Sequence, residues 1–156
     1  MSRRTLYAIA IGVVALDQLI KMTVVRLIEA GQPVPVAGRY LSLTIQHNTG
    51  AAFGMFPAAT AALIILAIGI IIFIVVYGVR LAGANRWLLW GIGLALGGAV
   101  GNLLDRARLG YVIDFIDVHF WPVFNVADIA ITCGAILIVI TLLYSQKHHK
   151  LAQSRQ

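Results

Sequence analysis

GNLLDRARLGYVIDFIDVHFWPVFNVAD, residues Gly101 to Asp128, lies between two apolar runs and carries four of the chain's six acidic residues. Asp105, Asp114, Asp117 and Asp128 stand there beside Asn102, Arg106 and Asn125. Ionisable groups near a bilayer are costly unless they have partners or a task. Paired-carboxylate chemistry is a task that fits. Two aspartates sharing one proton supply a base and an acid, and so activate water against an amide carbonyl without metal or cofactor. Asp114, in a connecting segment, and Asp128, at the start of the last apolar run, are the candidate pair, with Asp117 as a rival for the first position. A folded loop would have to bring them to one water.

The surroundings of this stretch set the class of protein. Of 156 residues, 60% are hydrophobic and only 12% charged, with a mean hydropathy of +0.90, which is the composition of a membrane protein. The net charge of +6 comes from basic residues flanking apolar spans, with no basic stripe interleaved with aromatics. Anionic lipid is therefore the expected counter-charge, and no nucleic-acid partner is expected. A single cysteine, Cys133, excludes an intrachain disulfide and reads as a small core hydrophobe.

Hydropathy predicts four transmembrane helices, at residues 5–27, 58–80, 87–104 and 126–144, with a disordered tail at 147–156. The first follows Arg3 and Arg4 as a signal peptide would, but it is too long for a cleaved signal and is interrupted by Asp17 and Lys21, so it is expected to be retained. Those two residues are four apart and share a helix face. They form either a structural ion pair or part of the chemistry. Between the first two spans, Pro33, Pro35 and Gly38 break any helix, and Tyr40 to Ile45 alternates as a strand. It is expected to pair within its own loop or with Tyr111 to Asp117, giving a small extracytoplasmic sheet. Asn48, Thr49 and Gly50 form a turn, from which Asn48 could bond a substrate backbone or a catalytic carboxylate.

In the third span Gly93, Gly97 and Gly101 repeat at four-residue spacing, which lets a neighbouring backbone approach closely. Asn102 and Asp105 lie one turn apart at its end, and Arg106 is their expected counter-ion or a forked donor to substrate. Asn125 is placed to cap the fourth helix, and Asp128 in its first turn could serve as electrostatic capping alone. Phe120, Trp121 and Pro122 read as an interfacial anchor. Basic residues crowd the N-terminus, the link at residues 80–86 and the tail, while the two long loops hold the acids. The positive-inside rule then puts both termini in the cytoplasm.

Five motifs, in order along most of the chain, resemble those of lipoprotein signal peptidases, the signal peptidase II family. They are DQLIK at Asp17 to Lys21, NTGAAFG at Asn48 to Gly54, GNLLDR at Gly101 to Arg106, VIDFID at Val112 to Asp117 and FNVADIAI at Phe124 to Ile131. The resemblance implies a single peptidase domain over residues 1–156, an aspartyl endopeptidase of the bacterial inner membrane with its active site at the extracytoplasmic face. It implies cleavage of diacylglyceryl-modified prolipoproteins just before the lipidated cysteine, with Asp114 and Asp128 catalytic. Asn48, Gly50, Asn102, Asp105, Arg106 and Asn125 would bind substrate or support the site. No cofactor or metal is expected, and the chain is expected to act as a monomer, with the signal peptide passing between helices three and four. A metal hydrolase using His47 and His119, a serine protease and a proton-coupled carrier are the rivals. They lack, respectively, helical ligand spacing, a Gly-x-Ser-x-Gly elbow and an inverted repeat.

Overall fold

A computed structural model describes residues 3–50, 60–83 and 85–153. Residues 51–54 of the NTGAAFG motif, the predicted helix start at 58 and the last three tail residues lie outside them. Among the described residues, four helices are long and apolar enough to cross a membrane: α1 (Arg3–Leu27), α2 (Thr60–Ala82), α3 (Arg86–Leu109) and α4 (Val126–Gln153). Their outward faces are apolar, as at Ile65, Phe73, Ile136 and Leu143, which suits lipid rather than water as the surrounding solvent.

The third helix is the hub, packing against α1, α2 and α4, and small residues make this possible. A Cβ at Gly93 or Gly97 would meet the Leu6 or Ala10 carbonyl of α1 at 3.0 or 2.7 Å, and one at Gly98 would run into the Ala127 carbonyl of α4. Gly134 of α4 approaches the Gly91 carbonyl within 2.6 Å of where its own Cβ would sit. Backbone therefore lies on backbone along both seams. Leu6 and Ala10 of α1 then close on Leu88, Leu89, Ile92 and Leu96 of α3 as the main apolar core.

Three strands, β1 (Val34–Ala37), β2 (Leu41–Asn48) and β3 (Val112–Asp117), form an antiparallel sheet in the order β1-β2-β3. The strand expected at residues 40–45 is thus Leu41–Asn48, and it pairs on both sides. Ser42 faces Asp117 and Gln46 faces Asp114, with a one-residue shift in register between Leu43 and Gln46, the mark of a β-bulge. The sheet sits on the end of α1, where Phe115 packs with Val24 and Ile28.

Several boundaries differ from the sequence reading. Helix α3 continues past Leu104 to Leu109 and ends at Gly110, whose φ of 81° is left-handed and whose N–H returns to the Arg106 carbonyl. The stop is conformational, because Gly alone takes that φ without strain. Polarity stopped the sequence reading too early, since Asp105 in this last stretch is buried. Helix α4 runs on to Gln153, so residues 147–153 of the expected disordered tail are helical. Cys133 is exposed on α4, and is not a core residue.

Candidate active site

The chain's return after β3 brings the two candidate aspartates together. Residues 118–123 fold back so that Phe124 pairs with Ile116 along the free edge of β3, its carbonyl accepting from the Phe115 and Ile116 N–H groups. Asn125 and the start of α4 are thereby laid beside Asp114.

Asp128 closes a capping box with Asn125. Its backbone N–H donates to Asn125 Oδ1 at 3.0 Å and its Oδ2 accepts from the Asn125 N–H at 3.2 Å. Capping occupies one carboxylate oxygen. The other, Oδ1, accepts from Asn102 Nδ2 of α3 at 2.8 Å. Asp114 is 2% exposed and also accepts at both oxygens, from Asn48 Nδ2 at 2.9 Å and Asn125 Nδ2 at 2.6 Å. Asn48 reaches it because Gln46 pairs opposite Asp114 and residues two apart on a strand share a face. Gly50 supports that reach, donating its N–H to Asn48 Oδ1 at 3.1 Å. Burial pushes the Asp114 carboxyl up to about 6, and the negative Asp128 adds to the rise; hydrogen bonds from Asn48 and Asn125 oppose it.

Below the pair lies a buried charge cluster. Asp17 and Lys21 are 0% and 2% exposed, and Lys21 Nζ lies 2.9 Å from Asp17 and 2.7 Å from Asp105. Asp17 Oδ1 also accepts from the Ala127 N–H at 3.0 Å. Asp105 Oδ2 accepts from the Ile113 N–H at 3.2 Å, tying α3 to β3. The expected Asp105–Arg106 ion pair does not form: Lys21 takes Asp105, because neighbours on a helix point in different directions. Arg106 Nε is instead buried with no hydrogen-bond partner among the described residues, in the field of Asp128, Asp114 and Asp105.

Gln18 was missed by the sequence reading. Its Nε2 donates to Asp105 Oδ1 at 2.9 Å and to Asp17 Oδ2 at 3.2 Å. A signal was present, since residues 18 and 21 are three apart and share a helix face.

The histidines are not brought together. His47 stacks on Tyr111 with ring centroids 4.1 Å apart, while His119 Nδ1 lies 3.4 Å from Asp117 and its Nε2 lies 3.3 Å from Ser42 Oγ. That row has the order of a serine triad, but Ser42 is buried within a strand paired on both sides, with no approach for a substrate carbonyl. It fastens the loop at 118–123 to the sheet. Asp117 is committed there, also accepting from the His119 N–H at 2.7 Å, and is not part of the amide and carboxylate network around Asp114.

A family profile described as Signal peptidase (SPase) II matches residues 9–144. Lipoprotein signal peptidase of Rhodococcus jostii (strain RHA1) is 45% identical over 147 residues, 90% of this chain and 73% of that protein. The protein of that name from Halothermothrix orenii is 36% identical over 141 residues, 90% of this chain and 97% of that one. A bacterial membrane enzyme solved by the in meso method superposes with a TM-score of 0.88 at 34% identity, over 94% of this chain and 92% of the other. This chain belongs to the signal peptidase II family, the proteases of lipoprotein processing.

Proposed function

We propose that the chain is an aspartyl endopeptidase that removes the signal peptide from diacylglyceryl-modified prolipoproteins, cutting just before the lipidated cysteine, with Asp114 and Asp128 as the catalytic pair. One observation carries this reading: Asn125 donates to Asp114 through its side chain at 2.6 Å and to Asp128 through its backbone at 3.2 Å. Both carboxylates are thereby held by a single residue, at the level where β3 meets the start of α4.

In the reaction, the ionised member takes a proton from water as that oxygen attacks the scissile carbonyl, and the protonated member donates to the carbonyl oxygen; on collapse the first member passes its new proton to the leaving amide nitrogen while the second recovers one from a hydroxyl of the tetrahedral intermediate. The Arg106 guanidinium, in the field of Asp128 and Asp114, is a forked donor suited to a substrate carbonyl. Backbone contact at Gly98 and Gly134 closes the α3–α4 seam, which favours an approach to the pair from another flank over the passage between α3 and α4 that the sequence suggested. The distribution of basic residues supports a topology with both termini in the cytoplasm and the site at the outer face of the bacterial inner membrane.

The test uses purified protein, a diacylglyceryl-modified precursor and an unmodified control. Asp114→Asn and Asp128→Asn should each lower cleavage of the lipidated precursor by on the order of 10³-fold or more, with the melting transition retained. Appreciable turnover in either variant rejects the pair. Activity should survive EDTA, and its loss would revive the metal reading.

A further inference from the structure

A side-chain amide is polar end to end: its carbonyl only accepts and its NH₂ only donates. Turned the wrong way, it sets an oxygen against a carboxylate. Three asparagines hold the aspartates here, and each carbonyl is pinned by a group able only to donate. Gly50 N–H pins Asn48 and Asp128 N–H pins Asn125.

For Asn102 one pin is Lys21. An ammonium has three N–H groups and no acceptor, and those of Lys21 are directed to Asp17 Oδ2 at 2.9 Å, Asp105 Oδ2 at 2.7 Å and Asn102 Oδ1 at 3.3 Å. Asn102 must therefore turn its oxygen to Lys21 and its NH₂ to Asp128. The same oxygen receives Asn125 Nδ2 at 3.1 Å, which also bonds Asp114. A purely structural ion pair would need only the two carboxylates.

We propose that Lys21 is a positioning residue of the proteolytic pair: its ammonium sets the polarity of the Asn102 amide, and so directs a hydrogen bond onto Asp128 and steadies the one on Asp114. This rests on the reading of Asp114 and Asp128 as the catalytic pair. Helix α1 then does more than brace the bundle, since it orients a donor on α3 toward an acid on α4.

Simple removal of Lys21 would strand two buried carboxylates, so the informative variant is Lys21→Met with Asp105→Asn, which keeps the formal charge of the cluster at that of Asp17. Asp105→Asn alone is the control that retains the ammonium. Three measurements are compared: the melting transition, kcat and KM on a lipidated precursor, and the side-chain amide spectrum of ¹⁵N-asparagine-labelled protein. That spectrum is simple, because the chain has four asparagines.

In the unsubstituted protein Asn102 should give one sharp amide pair. The double variant should melt normally and keep KM within about threefold, while kcat falls by roughly tenfold or more and the Asn102 signals shift and broaden as the amide turns. Asp105→Asn alone should leave the Asn102 signals sharp. Unchanged kcat and an unchanged Asn102 signal in the double variant would overturn the proposal. So would two exchanging Asn102 orientations in the unsubstituted protein, a measurement that stands even where the variant fails to fold. Failure of the catalytic reading is seen separately, as cleavage by Asp114→Asn or Asp128→Asn, and leaves the amide spectra unaffected.

Discussion

Asp114 holds its proton to about pH 6, and this has consequences of two kinds. For stability, a carboxyl whose folded pKa lies above its unfolded value binds more protons in the folded state between the two values. Its folded state is thus most favoured below about pH 4 and loses about 3 kcal/mol as pH rises from there through about 6, with no further change above. Thermal melts of the unsubstituted protein across that window should show the fall, and in Asp114→Asn this component should vanish. For catalysis, the proposed pair needs one proton, so the alkaline limb of kcat/KM should lie near pH 6 instead of the ordinary carboxylate range. Bound lipid excludes more water, so the matching limb in kcat should fall at higher pH.

At the same scale, the sequence identified the residues but not their pairings. Asn48, Asn102, Asn125, Asp114 and Asp128 were singled out by residue type and by motif, and all join one network. Lys21 on Asp105 and Asn102, by contrast, spans more than eighty positions, and nothing local in either segment encodes such a pairing. The Asp105–Arg106 expectation failed for that reason: adjacency in sequence was read as adjacency in space.

Among the elements, the α3–α4 seam is the most sensitive to substitution. A Cβ at Gly98 collides with the Ala127 carbonyl, the residue immediately before Asp128, so Gly98→Ala must push the start of α4 away from Asn102. We expect a destabilisation of about 1–3 kcal/mol with a concurrent fall in kcat. Gly12 of α1 has nothing within 4 Å of the corresponding position. Gly12→Ala should leave activity unaltered, and its melting temperature should not fall. The helices were legible because apolar runs of this length have few alternatives. Their ends were less so, because hydrophobicity stops where lipid stops, whereas hydrogen bonding in α3 continues to the left-handed Gly110. The loop after β3 was legible as an aromatic anchor, with Phe120 85% exposed, but its fastening through Ser42, His119 and Asp117 required the sheet register to be known.

For the molecule as a whole, the orientation proposed from charge can be checked directly. In a Cys133→Ala background, single cysteines replacing Tyr40 in the sheet region and Ser145 late in α4 should differ in reactivity. An impermeant thiol reagent applied to intact spheroplasts should modify residue 40 and reach residue 145 only after permeabilisation. The reverse pattern would invert the topology and put the proposed catalytic pair on the wrong side for a secreted precursor.

The central position of α3 also bears on how such a chain is made. A ribosome delivers α1 and α2 to the translocon before α3 exists, so the segment holding Asp17 and Lys21 must leave for lipid without Asp105, Asn102 or the Ala127 N–H that later surround it. The contact between Asp17 and Lys21 lies within one turn and needs no other helix. It is the neutralisation available during biogenesis, and it lets a charged first segment wait in the bilayer for the rest of the protein to be synthesised.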